Sequence, residues 1–269
     1  MKKILITLPF LILFLSKSIA QSTIAESKWS SHEISIDGSD IEWSKPFNYV
    51  DSISGLVFAI SNDKDNIYLC ISNNNKNKAT KMMIAGWSLD LKSTEKDRKF
   101  HANIDFSKIA EIRYVFNADI KNLLTLYKSM ITTVTRKGFL ANNGVQDLMN
   151  VNGMNIGIGL DEKENIIYEI MIPIKDLIPP SKATLTELVS IEFKVNALDN
   201  PNESRDFGSR SEPNSMGKSR IGPSSGRGGG SSSGQRPGEP SRNANPAMSA
   251  LYEKQSFTQK IKLVDKESK

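Results

Sequence analysis

Short apolar runs alternate with polar turn clusters from about residue 33 to residue 197. Ile34-Ser35-Ile36 alternates and stops at Asp37-Gly38, a turn signal. Residues 56–60 form a compact apolar run, residues 61–66 carry turn chemistry, and residues 67–71 return as a second run, which predicts a hairpin. Asn73-Asn74-Asn75 opens the next loop, and residues 82–91, containing Trp87, predict a strand. Residues 111–116 alternate polar and apolar, as a half-exposed strand should. Residues 155–160 and 166–172 flank a polar tip at 161–165 and predict a second hairpin worded like the first. Residues 188–195 and 257–264 predict two more strands. Helical signals are few: one short helix over 120–130, and a single turn over 174–177 closed by Pro179-Pro180.

Many short strands with polar turns, and no βαβ alternation or helical repeat, predict an all-β fold. The expected form is an antiparallel β-sandwich, immunoglobulin-like or jelly-roll-like. Residues 208–247 interrupt it. That stretch of 40 residues holds nine Gly, ten Ser and five Pro. It cannot bury enough surface to offset its ordering entropy, so it is expected to be a disordered Gly/Ser/Pro-rich loop insertion. The predicted organisation is a signal peptide over 1–20, a lead-in over 21–32, the sandwich over 33–207, the insertion over 208–247, and a final strand and tail over 248–269.

The leader changes the charge picture. Met1-Lys2-Lys3 precedes a twelve-residue apolar run from Ile4 to Leu15, and Ser18-Ile19-Ala20 offers a cleavage site before Gln21. The run is too short to span a bilayer as a helix, and no integral membrane segment is expected after cleavage. The protein is therefore expected to be exported, to the periplasm or the cell exterior. Removing Lys2, Lys3 and Lys17 lowers the formal charge from +5 to +2, which does not argue for a nucleic-acid partner. The lone Cys70 excludes an internal disulfide and reads as a buried small hydrophobe.

Three segments together carry a resemblance. They are residues 36–43 (I-D-G-S-D-I-E-W), residues 58–69 (F-A-I-S-N-D-K-D-N-I-Y-L) and residues 168–177 (Y-E-I-M-I-P-I-K-D-L). In this order they resemble family 9 carbohydrate-binding modules and their looser relatives in secreted bacterial proteins. The resemblance implies a β-sandwich, a sugar held between two tryptophans, and structural calcium. Trp43 belongs to the opening motif and is expected to plug one end of the sandwich. Trp29 precedes the first predicted strand and is expected to pack or to be flexible.

A sugar site needs a flat aromatic face for the C–H side of the ring and polar side chains for its hydroxyls. Trp87 is the expected platform, with Asp90, Arg113 and Asn117 as the polar partners. No second platform tryptophan is assigned. Calcium needs several oxygen ligands. Residues 62–66 and 161–165 offer oxygens but match no EF-hand loop, so no residues are assigned to a metal, and no other cofactor is expected. Catalytic motifs such as G-x-S-x-G, H-E-x-x-H and the P-loop are absent from the sequence, and no enzyme activity is expected. Two functions remain: glycan binding, or an envelope protein-interaction or scaffold module without a sugar site. An exposed Trp87 favours the first. A buried Trp87 with an exposed apolar patch elsewhere favours the second.

Overall fold

The computed structural model describes residues 24–93, 95, 99–109, 119–148, 153–179, 188–198 and 251–266. The elements in chain order begin with β1 (Ala25–Glu26), β2 (Lys28–Trp29), β3 (Tyr49–Val50), β4 (Leu56–Asn62) and β5 (Asn66–Asn73). Helix α1 (Lys76–Ala85), β6 (Trp87–Ser93), β7 (Phe100–Phe106), helix α2 (Ile120–Met130), β8 (Thr133–Lys137) and β9 (Gly144–Asp147) follow. Then come β10 (Asn155–Leu160), β11 (Ile166–Pro173), the single turn α3 (Ile174–Leu177), β12 (Leu188–Val195) and β13 (Gln255–Lys262).

Two sheets face each other in an all-β sandwich. One runs β1-β13-β12-β6-β7-β8-β9; the other runs β10-β11-β5-β4-β2, with β3 also on β4. The pairings are antiparallel except for those of two of the shortest strands, β1 on β13 and β2 on β4. The space between the sheets is filled by alternate residues of each strand, among them Trp87, Leu89 and Leu91 from β6 and Tyr168, Ile170 and Ile172 from β11. Both predicted hairpins form, β4–β5 and β10–β11. The helix over 120–130 forms as read, with Ile120, Leu123, Leu124 and Tyr127 on its buried stripe.

The structure corrects four of the expectations. Residues 82–91 are not one strand. Asn75 caps α1 by accepting the Lys78 N–H at 3.1 Å, the helix runs to Ala85, and Gly86 ends it with a φ of 75° before β6 begins. A Cβ on Gly86 would stand 2.5 Å from the Phe106 carbonyl oxygen. Residues 34–36 do not pair as a strand; Ile34 and Ile36 instead pack onto the outer face of the smaller sheet. The lead-in is not outside the sheets, because β1 and β2 lie within it. The last strand covers Gln255–Lys262 rather than 257–264. The leader, the predicted strand over 111–116 and the insertion over 208–247 lie outside the described residues.

The lead-in also joins the two sheets. β1 pairs with β13 in the larger sheet, and two residues later β2 pairs with β4 in the smaller one. Ser27 stands at the crossing. Its N–H donates to the Lys262 carbonyl at 3.0 Å, its hydroxyl donates to Asn62 Oδ1, and its Oγ accepts the Val264 N–H at 3.1 Å. Asn62 is fully buried and donates to the Val264 carbonyl at 3.0 Å. This clasp leaves few buried polar groups unpaired where the chain changes sheets.

Candidate functional site

The outer face of the smaller sheet is covered by a strap, residues 34–47. Trp43 in the strap packs with Ala59, Tyr68, Cys70 and Ile167, and Ile34, Ile36 and Phe47 lie against them. Side chains alternate along a strand, so neighbouring residues of β11 serve opposite faces. Tyr168 faces the other sheet; Glu169 faces the strap and is fully buried. Its carboxylate accepts the backbone N–H groups of Asp37 at 3.0 Å and Gly38 at 2.8 Å, and the Trp43 indole N–H at 2.7 Å. Burial pushes the Glu169 carboxyl above its ordinary range, against the pull of those three donors.

Glycines let the strap lie flat. Gly38 has a φ of 86°, and a Cβ on Gly159 would stand 2.0 Å from its carbonyl oxygen. One on Gly157 would stand 2.5 Å from the Gly38 nitrogen. The first and third sequence segments are thus one unit, joined by Glu169. The second segment is a self-capped turn. Asp63 accepts the N–H groups of Asp65 and Asn66, both at 2.7 Å, and the Tyr68 hydroxyl at 2.7 Å. Asp161 caps the other hairpin in the same way, accepting from Lys163 at 2.9 Å and Asn165 at 2.7 Å. One carboxylate of each stretch that offers oxygens for calcium, Asp63 and Asp161, is therefore engaged by its own loop. Among the described residues, no group of three acidic, histidine or cysteine side chains could hold a metal ion.

Openings flank the strap on both sides. On one side lies a cleft of about 290 Å³ lined by Trp29, Trp43, His32, Glu42, Asn48 and Ser61. A second cleft of about 230 Å³ shares Lys28, Trp29 and Asn48 with it, so Trp29 stands between the two. The rim is fixed where Lys28 Nζ donates to Ser44 Oγ at 2.6 Å, tying β2 to the strap. On the other side is a groove of about 740 Å³. Phe47, Val50 and Val57 give it an apolar wall, and Asn74, Asp161 and Glu162 give it a polar one.

Of the residues picked from sequence, the two that are described, Trp87 and Asp90, face opposite sides of β6. Trp87 is not an exposed platform. It is fully buried between the sheets, stacked on Phe106 with ring centroids 4.3 Å apart. Asp90 lies three residues further along β6 and so faces the opposite side. There its carboxylate pairs with His101 at 2.7 Å and Lys194 at 2.8 Å. Burial would raise its pKa, but Lys194 and His101 hold it below the usual carboxylate range. Arg113 and Asn117 lie outside the described residues. Cys70 is buried, and burial pushes its thiol far up, so it is inert as a nucleophile. Trp29, which sequence alone left as packing or flexible, lines both smaller clefts. Its strand has two residues, too short to leave a periodic signal.

No family profile matches the chain, and no curated protein matches it. Two solved structures are similar to it. One is a carbohydrate binding module family 9 from Caldicellulosiruptor kristjanssonii in complex with glucose. It is 12% identical over 66% of this chain and 80% of that one, with a TM-score of 0.31. The other is the module from the same organism in complex with cellotriose. It is 12% identical over 64% of this chain and 75% of that one, with a TM-score of 0.29.

Proposed function

We propose that this protein is an exported, non-catalytic glycan-binding module whose site is the paired cleft beside Trp29. The observation that carries the reading is that the half-buried Trp29 lines a cleft of about 290 Å³ beside the buried Trp43. The second cleft lies beyond Trp29. Indole faces suit the C–H side of a sugar. Asn48, Ser44, Glu42 and His32 supply donors and acceptors for hydroxyls around the same opening. No helix among the described residues is long and apolar enough to cross a membrane. Export rests on the sequence of residues 1–20. The division into a leader, a sandwich, an insertion at 208–247 and a closing strand belongs to the same proposal.

The second reading is a protein-interaction module of the cell envelope. Two observations favour it. Trp87 is buried, and Ile41 in the strap, Val50 in β3 and Ile53 in the turn after β3 are exposed. Val50 is 64% exposed and belongs to the wall of the larger groove.

The two readings use different surfaces, so one experiment separates them. The chain from Gln21 onward is screened on a glycan array beside Trp29→Ala and Val50→Ala. Glycan binding is expected in the wild type. Trp29→Ala should weaken it by about 1–3 kcal/mol, by analogy with bases stacked on aromatic rings. Val50→Ala, in the wall of the larger groove, should leave it intact. A wild-type protein that binds no glycan at millimolar concentration overturns the glycan reading in favour of the interaction module.

A further inference from the structure

The chain carries a formal charge of +5, yet the two clefts beside Trp29 are acidic. Glu33 and Glu42 line the cleft that Trp29 shares with Trp43, and Glu26 and Asp265 line its neighbour. The fold brings them there from distant stretches of sequence. Glu33 leads into the strap. Glu42 stands next to Trp43, whose indole N–H is bonded to Glu169. Asp265 follows Val264, whose backbone groups are held by Ser27 and Asn62. Besides the His32 imidazole, the one cationic side chain lining either cleft is Lys28, and its ammonium donates to Ser44 Oγ at 2.6 Å. Glu26 is paired with Lys262 at 3.6 Å. Among the described residues, Glu33, Glu42 and Asp265 have no ion-pair partner.

This inventory exceeds what a neutral sugar ring asks for. Hydroxyls are met by groups that both donate and accept, such as Asn48 and the serines of the same opening. A carboxylate only accepts, and it brings charge. A concave surface lined by one sign of charge focuses its field and gathers ions of the opposite sign. A ligand ammonium answers both components of this site. It makes charge-assisted hydrogen bonds to carboxylates, and an indole face attracts a cation. A carboxylated or sulfated ring would instead set like charge against Glu33 and Glu42, which selects against it.

We propose that the paired cleft is selective for amino sugars whose amine is free, with Trp29 taking the ring and Glu33 and Glu42 answering the ammonium. The proposal rests on the glycan-binding reading and names the ligand class of that site. Acetylation of the amine removes the charge while keeping the ring, so it separates the two contributions. A chain of such sugars reaching the adjoining cleft meets a further unpaired carboxylate in Asp265.

The test is calorimetry on the chain from Gln21 onward with three trisaccharides at neutral pH: a glucosamine trimer with free amines, its N-acetylated counterpart and cellotriose. The free-amine trimer is expected to bind about tenfold more tightly than either neutral trimer at low salt, the scale of a few exposed charge contacts. Raising the salt should shrink that advantage. Glu33→Gln combined with Glu42→Gln, both at exposed positions, should bring the three affinities together while far-ultraviolet circular dichroism reports a retained fold. Equal affinity of the wild type for the free-amine and acetylated trimers overturns the amino-sugar assignment and leaves glycan binding standing. So does a tenfold preference that survives in the folded double variant. Binding of none of the three at millimolar concentration overturns both.

Discussion

Glu169 governs the strap with one carboxylate and three donors. The ordinary glutamate value is 4.5, and the native value lies above it. The folded state therefore holds the proton more tightly than the unfolded chain. Stability from this group is greatest below the unfolded value and declines as pH rises through the native one. Glu169→Gln removes that titration. It also turns an amide N–H₂ toward one of the three donors, leaving a buried N–H unpaired at a cost of about 1–3 kcal/mol. The expected result is a wild type that is more stable in urea, by a gap widest near pH 4 that narrows toward pH 8. A gap that widens with pH would contradict the assignment. At this scale the sequence was partly legible. Trp87-Ser88-Leu89-Asp90-Leu91-Lys92 alternates, and its parity places Trp87 with the two leucines on the core side. A ring flanked by Gly86 and Ser88 invites the opposite reading only when the alternation beyond it is ignored. Glu169 was quoted as part of a motif, but its role depends on residues 126 to 132 positions away, and no local pattern reports such a pairing.

The same contrast holds for elements. Both hairpins were legible because their tips, Asp63 to Asn66 and Asp161 to Asn165, satisfy their own backbone groups with local side chains. Helix α2 was legible because its apolar residues recur at helical spacing. Helix α1 was not. Its apolar residues, Met82 to Ala85, are consecutive and adjoin the apolar start of β6, so the run has no period of its own. The available signals were Asn75 before the helix and Gly86 after it. Residues 34–36 at the start of the strap were read as strand-like because Ile34 and Ile36 alternate; they lack a ladder because their backbone lies over a sheet face rather than beside an edge. That placement depends on bare glycine in β10. Gly159→Ala would drive a methyl group into the Gly38 carbonyl. It should cost about 1–3 kcal/mol, as overpacking does, and lift the strap. Red-shifted Trp43 fluorescence with retained far-ultraviolet circular dichroism is the expected signature. An unchanged spectrum and urea midpoint would show that the strap tolerates the displacement.

At the scale of the whole molecule, the sandwich followed from strand count and turn spacing, which is why the fold class was readable before any contact was known. The way its sheets are joined was not, since β1 and β2 have two residues each. Ser27 concentrates that junction. Ser27→Ala removes the hydroxyl that serves Asn62 and the Val264 N–H, both buried or half-buried. A loss of about 1–3 kcal/mol is expected from urea unfolding. Deleting residues 24–30 should do more, exposing the β13 edge and the β4 edge together and promoting association between copies. Size-exclusion chromatography of the deletion protein checks this, and a stable monomer would show that the two edges are protected by other means.

The clasp also sets a timetable. Ser27 and its partner Lys262 are 235 residues apart. At ribosomal speeds of about 5–20 residues per second, the first strand waits on the order of ten to fifty seconds for the last. During that interval the nascent chain has two open rims and an N-terminal segment without a partner. The seam therefore closes only once synthesis of the chain is almost complete, however early the rest of the sandwich forms.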